Sequence, residues 1–446
     1  RRFGAVILKT YSSLRVERTI VGGFLSLVVV GTFLIWTLNM AWGKPIAFVD
    51  ALFTATSALC VTGLSVVNTG QDLCLASQWV VLALIQLGGL GVMTAATALL
   101  LLLRQKIGIR QRLLFAGGLG LDTPAGAVRL LMKILKMTIL IEGLCCIPLF
   151  IAFVKDYSPV RALYLAVFHS ISAFCNAGFS LFSNSLEGYA NTFWVPATIM
   201  FLIVSGGAGF LVLSGVWRYT IRGESLAPHC RFVLIVTAGL ITVGTTLFLI
   251  SDWDGAFQGM SPILKIWNAL FQSITPRTAG FDAINQAQFS SLGLFITCLL
   301  MIIGASPGST GGGIKTTTFG LLMVSTFTEL RGKKHVVLWN RAVPMDNIRR
   351  ALTLTVLYFG TVLMSLIALS ITESVPFHTL IFEAFSAMGT VGLSLGITSS
   401  LSSIGKMILV LLMFWGRVGI LTFMYGIVSH ETRDNVNYAT TNIPIG

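Results

Sequence analysis

A short pattern recurs four times in this chain and restricts its architecture more than any other feature. A phenylalanine is followed four residues on by Ser or Thr, and nine or ten residues on by a glycine that precedes Leu or Phe. The copies are Phe53, Ser57 and Gly63-Leu64; Phe168, Ser172 and Gly178-Phe179; Phe271, Thr275 and Gly280-Phe281; and Phe382, Ser386 and Gly392-Leu393. The glycines lie 115, 102 and 112 residues apart, so one unit is repeated along the whole chain. Each copy ends an apolar, amphipathic segment of about 12 residues, too short for the ~20 residues that a helical crossing needs. A re-entrant helix closed by a glycine turn is the expectation.

Longer apolar runs flank the copies, near 19–42, 75–103, 131–154, 193–217, 232–251, 288–327, 351–372 and 404–428. Charged residues make up only 11% of the chain, against roughly 25% in soluble domains. The chain therefore reads as an integral membrane protein with eight spans. The first run is long and is followed by no small-residue cleavage site, unlike a signal peptide. Basic residues are placed unevenly. They precede the first run (Arg1, Arg2, Lys9, Arg15, Arg18) and follow the second (Arg104, Lys106, Arg110, Arg112, Arg129), the fourth (Arg218, Arg222, Arg231) and the sixth (Arg331, Lys333, Lys334, Arg341, Arg349, Arg350). Both termini and these loops are thereby predicted to be cytoplasmic. Contact with anionic lipid accounts for most of that charge; docking of a partner is a second reading. No nucleic-acid motif accompanies it. The seven cysteines, with no C-x-x-C among them, read as small buried apolar residues.

The second span of each repeat contains a glycine cluster: Gly88-Gly-Leu-Gly91, Gly206-Gly-Ala-Gly209 and Gly416-Arg-Val-Gly419. These predict a bend or a close backbone approach, with ordinary packing of small residues between helices as the other reading. The third repeat carries an enlarged version: Gly304, Ala305, Ser306, Pro307, Gly308, Ser309, Thr310, Gly311, Gly312 and Gly313, then Ile314, Lys315, Thr316, Thr317 and Thr318. Irregular chain survives at membrane depth only beside protein or water. The predicted fold class is an all-α polytopic membrane protein with four tandem helix–pore helix–helix repeats around a pseudo-fourfold central pore. Its expected parts are a cytoplasmic segment 1–18, repeat 1 at 19–103, a basic loop and repeat 2 at 104–217, repeat 3 at 218–327, a basic loop and repeat 4 at 328–428, and a cytoplasmic tail 429–446.

Four glycine turns around one axis suit a monovalent cation. A dehydrated K⁺ needs neutral oxygens in place of its water, and backbone carbonyls supply them without holding the ion too tightly. Glycine lets the chain turn those carbonyls inward. The short helix before each turn points its negative end at the axis. The turns are Cys60-Val61-Thr62-Gly63, Cys175-Asn176-Ala177-Gly178, Arg277-Thr278-Ala279-Gly280 and Gly389-Thr390-Val391-Gly392. In register, and with the glycine-rich third inner span, they resemble the four filter sequences of the Trk/Ktr/HKT potassium transporter superfamily over essentially the whole chain. With eight spans and no additional N-terminal pair, the resemblance is to the bacterial Ktr membrane subunit rather than the longer Trk subunit. It implies these sixteen residues as an ion-binding filter and K⁺ uptake across a bacterial plasma (inner) membrane, often stimulated by Na⁺. It further implies a homodimer with one pore per subunit and a cytosolic RCK-type nucleotide-binding regulatory ring, so that nucleotide belongs to the partner. No covalent cofactor and no metal beyond the transported ion are expected. Gly63 keeps the all-glycine pattern, where plant relatives can carry Ser. None of the turns reads Thr-Val-Gly-Tyr-Gly, and Asn176 and Arg277 break the symmetry, from which looser K⁺/Na⁺ discrimination is expected.

The segment Gly304–Thr318 is expected to be a movable gate beneath the turns. Two rival motifs fall inside it. Gly304-Ala-Ser306-Pro-Gly308 fits G-x-S-x-G, but a hydrolase elbow needs a strand before it and a histidine within reach. Gly308 to Thr316 approaches a phosphate loop, yet Ile314 stands where glycine should precede the lysine. The remaining alternative is an alternating-access transporter of another small solute, a class marked by inverted repeats; here all four glycine turns lie on the outer side. Arg417 costs about 2.5–3.5 kcal/mol at mid-membrane on insertion scales. It is expected to face the pore, as a barrier or as a latch for the segment, with capping of backbone carbonyls as the structural reading. Lys315 either shares that role or snorkels to the surface. Lys133 and Lys136 are expected to snorkel, Asp50 to cap a short helix, Glu383 to brace the fourth turn, and Glu142 to pair with polar neighbours.

Overall fold

The computed structural model describes residues 2–91, 127–333 and 335–419. The expected basic loop at Arg104, Lys106, Arg110 and Arg112, the far ends of the second and eighth apolar runs, and the tail 429–446 lie outside them. Regular structure among the described residues is helical, apart from a hairpin of β1 (Val337–Leu338) and β2 (Arg341–Ala342) and a bridge between Ile303 and Ile314. Repeat 1 consists of α1 (Arg2–Ala41), α2 (Phe48–Leu59) and α3 (Leu75–Leu90). Repeat 2 has α4 (Ala127–Phe153), α5 (Pro159–Phe174), α6 (Trp194–Ala208) and α7 (Phe210–Arg222). Repeat 3 has α8 (Pro228–Asp252), α9 (Pro262–Ile274), α10 (Ser291–Ile302) and, after the glycine-rich segment, α11 (Thr316–Leu330). Repeat 4 has α12 (Met345–Thr372), α13 (Phe377–Gly389) and α14 (Ser403–Val418).

The first helix of each repeat is long and apolar. Val21–Ala41, Leu130–Phe153, Pro228–Asp252 and Met345–Thr372 run 21 to 28 residues, enough for a hydrocarbon layer of about 30 Å. Their outward faces carry exposed apolar side chains such as Leu25, Ile139, Ile250 and Leu363, as lipid contact requires. The short helices α2, α5, α9 and α13 are enclosed toward their C-terminal ends, and the repeat phenylalanines Phe53, Phe168, Phe271 and Phe382 are buried in them. In three repeats the far end of the first helix fastens the start of the inner one. Asn39 Oδ1 accepts from Cys74 N at 3.0 Å, Asp252 Oδ1 from Ser290 N at 2.7 Å, and Glu373 Oε2 from Ser402 N at 3.1 Å.

The inner helices are interrupted at the glycine clusters, where the sequence offered a bend as one reading. Each stops at its glycine cluster. Gly91, Gly209 and Gly419 end α3, α6 and α14 with φ/ψ of 84°/133°, 92°/146° and 89°/129°. Residues with a Cβ rarely adopt such a conformation, and it breaks the helical hydrogen-bond ladder. At Gly209 the chain resumes as α7, bent by 106° from α6, so the run 193–217 is a folded pair. The helix α10 ends at Ile302, before the polar segment.

The first glycine of each cluster has a different task. A methyl group at Gly88, Gly206 or Gly416 would lie 1.9, 1.8 or 2.2 Å from the carbonyl oxygen of Leu59, Phe174 or Met388. Leu59 and Phe174 end the short helices of their repeats, and Met388 is the last residue but one of its own. The bend and the close approach are therefore both present, divided between the two ends of one motif. Gly206→Ala is expected to lower the thermal unfolding midpoint of the purified protein by several degrees, as overpacking by about 1–3 kcal/mol does. Gly143→Ala, on the open face of α4 with no atom within 4 Å of the new methyl, serves as the control. Equal midpoints for the two variants would show that the close approach is not under strain.

Candidate functional site

The C-terminal ends of the four short helices deliver the four glycine turns. Cys60 and Cys175 cap α2 and α5, Arg277 lies two residues past the cap Thr275 of α9, and Gly389 is the last residue of α13. All four turns share one backbone path. Their second residues, Val61, Asn176, Thr278 and Thr390, have φ of 56°, 58°, 70° and 51°; their glycines, Gly63, Gly178, Gly280 and Gly392, have φ of 93°, 70°, 73° and 101°. A left-handed non-glycine residue costs on the order of 1–3 kcal/mol and persists only where its surroundings fix it. The fixing comes from the preceding helix. Thr62 N, Ala177 N and Val391 N donate to the carbonyls of Ser57, Ser172 and Ser386 at 2.8 Å, and Gly280 N to that of Thr275 at 3.2 Å. The repeated Ser or Thr adds its hydroxyl. Ser57 and Ser386 accept from Gly63 N and Gly392 N at 3.1 Å, whereas Ser172 and Thr275 donate to Phe179 O at 2.8 Å and Phe281 O at 2.7 Å.

The turns form a closed ring. A methyl group on Gly63 would lie 2.5 Å from Ala177 O, on Gly178 2.8 Å from Ala279 O, on Gly280 2.2 Å from Val391 O, and on Gly392 2.2 Å from Thr62 O. Each glycine thus faces the carbonyl that precedes the next repeat's glycine, and the fourth returns to the first. Any side chain at these positions would collide with that oxygen. Outside the ring lies a cavity of about 580 Å³ with the four glycines in its lining. The charged residues lining it are Glu187 and Asp282. Burial raises the carboxyl of Glu187, in the outer connection of repeat 2, above its usual range, while a hydrogen bond from Asn285 lowers it. Asn176, with its nitrogen toward Ala173 O (3.0 Å) and Ile203 O (3.2 Å), accepts from the Thr278 hydroxyl at 3.3 Å. Arg277 is 8% exposed, and its Nε has no protein partner.

The segment Gly304–Thr318 is pressed directly beneath the ring. Gly312 N donates to Thr390 Oγ1 at 3.1 Å, and a methyl on Gly311 would lie 2.1 Å from Thr278 Oγ1. Neighbouring inner helices satisfy its backbone. Ser306 N and Thr310 N donate to Gly207 O and Gly206 O at 3.0 and 3.3 Å, and Gly308 O accepts from Phe210 N at 3.0 Å. The methyl of a residue at Gly209 would lie 2.8 Å from Pro307 O. Gly304 N donates to Ile314 O at 2.8 Å and Thr316 N to Ala305 O at 3.3 Å, closing the base of the loop. The hydroxyls of Thr310 and Ser309 donate to Phe174 O (3.2 Å) and Ser306 O (2.5 Å). Gly313 takes φ of 65°, and Thr316, Thr317 and Thr318 form the first turn of α11.

Arg417 joins three repeats here. Its guanidinium donates to Thr310 O in the segment and to Gly88 O at the end of α3, with Gly89 O at 3.4 Å. The guanidinium therefore caps backbone carbonyls, the structural reading. Lys315 does not snorkel: it caps α11 and its Nζ donates back to Gly311 O at 2.7 Å. Asp50 makes no side-chain cap; it pairs with Lys406 at 2.8 Å, because the folded ring brings α14 against α2. Lys133, part-exposed, donates to Ser214 of α7 at 2.6 Å. Glu142 accepts from Gln86 Nε2 at 3.2 Å, and Gln86 Oε1 lies 3.5 Å from Cys175 Sγ. Ser306, preceded by a helix, meets the Thr316 hydroxyl at 2.9 Å, which leaves no hydrolase elbow there. The structural roles of Gln86, of Asn39 with Asp252 and Glu373, and of the Gly88 carbonyl carry no signal in the sequence beyond their residue types.

Helical crossings, re-entrant helices and a ring of four glycine turns define a multi-pass membrane protein of the four-repeat cation-transport class. The comparisons agree. The family model for TrkH, described as a cation transport protein, matches residues 15–437, and the chain belongs to that family. It is 38% identical over 418 residues to the Ktr system potassium uptake protein B of Bacillus subtilis, covering 93% of each chain. It is 35% identical over 422 residues to the potassium/sodium uptake protein NtpJ of Enterococcus hirae, covering 94% of this chain and 93% of the relative. In fold it is similar to the crystal structure of the potassium transporter TrkH from Vibrio parahaemolyticus, with a TM-score of 0.68 at 20% identity over 91% of this chain and 84% of that one.

Arg417→Gln is expected to free the carbonyls of Thr310 and Gly88. Hydrogen–deuterium exchange across 304–318 should then speed up by about tenfold or more, the loss of one charge-assisted bond of roughly 1.5–3 kcal/mol. Unchanged exchange would mean that the other contacts of the segment hold it without the arginine.

Proposed function

We propose that this protein takes up potassium ions through the ring of glycine turns. The carrying observation is the closed series in which each of Gly63, Gly178, Gly280 and Gly392 faces the carbonyl before the next glycine. A ring of neutral oxygens at the negative ends of four helices can replace the water of a monovalent cation and still release it. The names of the Bacillus subtilis and Enterococcus hirae relatives support potassium as the substrate. The second relative's name supports an involvement of sodium.

In this reading the sixteen turn residues form the filter, with their backbone oxygens as ligands. The segment Gly304–Thr318 is the gate. It lies against Thr278 and Thr390 at the inner side of the ring, and Arg417 holds it closed. Opening requires the hydrogen bonds to Arg417 and to the α6 carbonyls to be exchanged for others. The protein works as a homodimer in the bacterial inner membrane with both termini in the cytoplasm, an orientation supported by the alternating basic residues. A cytosolic nucleotide-binding subunit drives the gate; the word "system" in the name of the Ktr relative supports a further component.

Expression in a host lacking its own potassium uptake should restore growth at limiting K⁺ once the regulatory partner is supplied. Absence of rescue, with the protein present in the membrane, would count against potassium uptake. Gly280→Ser places a side chain 2.2 Å from Val391 O and should weaken apparent K⁺ affinity by about tenfold or more, the equivalent of ~1.4 kcal/mol. Unaltered uptake kinetics would remove Gly280 from the filter. Deleting Pro307–Gly312 should raise K⁺ flux and uncouple it from the regulatory partner. Unchanged or lost flux in a well-folded deletion variant would make the segment a structural plug.

A further inference from the structure

Beyond the ring, a second set of repeated positions ties each turn to its own short helix. The residue after the repeat phenylalanine is Thr54, His169, Gln272 or Glu383, and all four are buried. The residue two past the ring glycine is Ser65, Ser180, Asp282 or Ser394. In repeat 2, Ser180 Oγ accepts from Phe182 N at 3.0 Å, which directs its own proton to His169 Nε2 at 2.9 Å. His169 Nδ1 in turn meets Leu165 O at 2.7 Å, so the ring carries its proton on that side. Repeat 4 repeats the logic with a carboxylate. Ser394 Oγ accepts from Gly396 N at 2.9 Å and donates to Glu383 Oε1, while Thr398 donates to Glu383 Oε2 at 3.0 Å. Repeat 3 uses a relay, Gln272 to Gln286 at 2.9 Å and Gln286 to Asp282 at 2.7 Å. In repeat 1, Thr54 turns back to Asp50 O on its own helix and Ser65 is exposed.

Glu383 thus differs from its three counterparts. It places a carboxylate on the short helix, and each of its oxygens is taken by a hydroxyl from the wall of the outer cavity, since Ser394 and Thr398 both line it. Ser394 lies two positions after Gly392, whose α-carbon faces Thr62 O, and three after Val391, whose oxygen faces Gly280. The tie therefore fixes the strand that carries one ring oxygen and abuts another. Ion discrimination by a carbonyl ring depends on how far its ligands can relax toward a smaller ion.

We propose that Glu383 is a specificity-determining positioning residue, which holds the fourth turn through Ser394 and Thr398 at a spacing that favours K⁺ over Na⁺. This inference rests on the uptake reading above. Without the tie the fourth turn closes on the smaller ion, so discrimination falls while transport continues.

The test is competition of Na⁺ against Rb⁺ uptake in cells or proteoliposomes, with the maximal rate and KM measured for each ion. Glu383→Ala should lower the preference for Rb⁺ over Na⁺ by about tenfold, the scale of losing one or two hydrogen bonds to a charged group, with the maximal Rb⁺ rate within about twofold. Glu383→Gln, which keeps one acceptor for Ser394, should recover most of the preference. Ser394→Ala and Thr398→Val, the gentler changes, should shift it in the same direction and add nothing further in the Glu383→Ala background. Unchanged preference in Ser394→Ala and Thr398→Val, with wild-type Rb⁺ uptake intact, would overturn the positioning role. Loss of rate and preference together, unrelieved by Glu383→Gln, would also overturn it and assign Glu383 to folding alone. Absence of Rb⁺ uptake by the wild-type protein would instead refute the uptake reading itself.

Discussion

A peptide group within a bilayer must find its hydrogen-bond partner inside the protein, and this condition shapes everything near the centre of the molecule. Helices meeting the condition by themselves would give a bundle with nothing open in it. Among the described residues the chain leaves helical structure around the ring at the four glycine turns and in the segment Gly304–Thr318. Each departure is matched by a donor or acceptor set aside for it. The turns are pinned by their own short helices through the repeated Ser or Thr. The segment takes its partners from α6, from Thr390 and from Arg417.

The same condition explains why the glycine clusters have two active ends. The first glycine lets a short helix end on the inner helix at backbone distance, so that its terminal carbonyls are covered by protein. The last glycine stops or turns the inner helix before it crosses the space beneath the ring. In repeat 3 the cluster has grown into a loop that fills this space. Arg417 then finds acceptors on both sides, in the loop and at the end of α3. A charge that would be costly in hydrocarbon becomes a three-way fastening because carbonyls freed by broken helices surround it.

Much of this could be read in the sequence, for a physical reason. The Phe, Ser or Thr, and Gly positions act within one repeat, over distances of ten residues, and they leave a periodic trace. The expectation of four turns with glycine at each apex needed no knowledge of tertiary contacts. The reading that failed involved a side chain whose partner lies far along the chain. Asp50 looked like a cap because its own helix begins beside it; its partner Lys406 belongs to the last repeat. For Lys315 the long stem allows either the surface or the pore side, and its bond to Gly311 O keeps it in the segment. The 106° bend between α6 and α7 was one of two open readings, since a glycine cluster in a helix serves packing as readily as turning. Only the backbone shows that it does both.

The pairing of Asp50 with Lys406 has a wider meaning. A ring of four separate, identical subunits has four equivalent joints, each made without covalent help. A ring folded from one chain has three joints spanned by its own connections and a fourth where the last repeat meets the first. That fourth joint carries an ion pair on the outer side, Asp50 with Lys406, and the Arg417–Gly88 bond on the inner side. Two long basic side chains of α14 therefore act as rivets across the one place where the ring has no polypeptide to close it. The circle is completed by charge where the others rely on chain, and a breathing motion of the pore wall would begin at this joint.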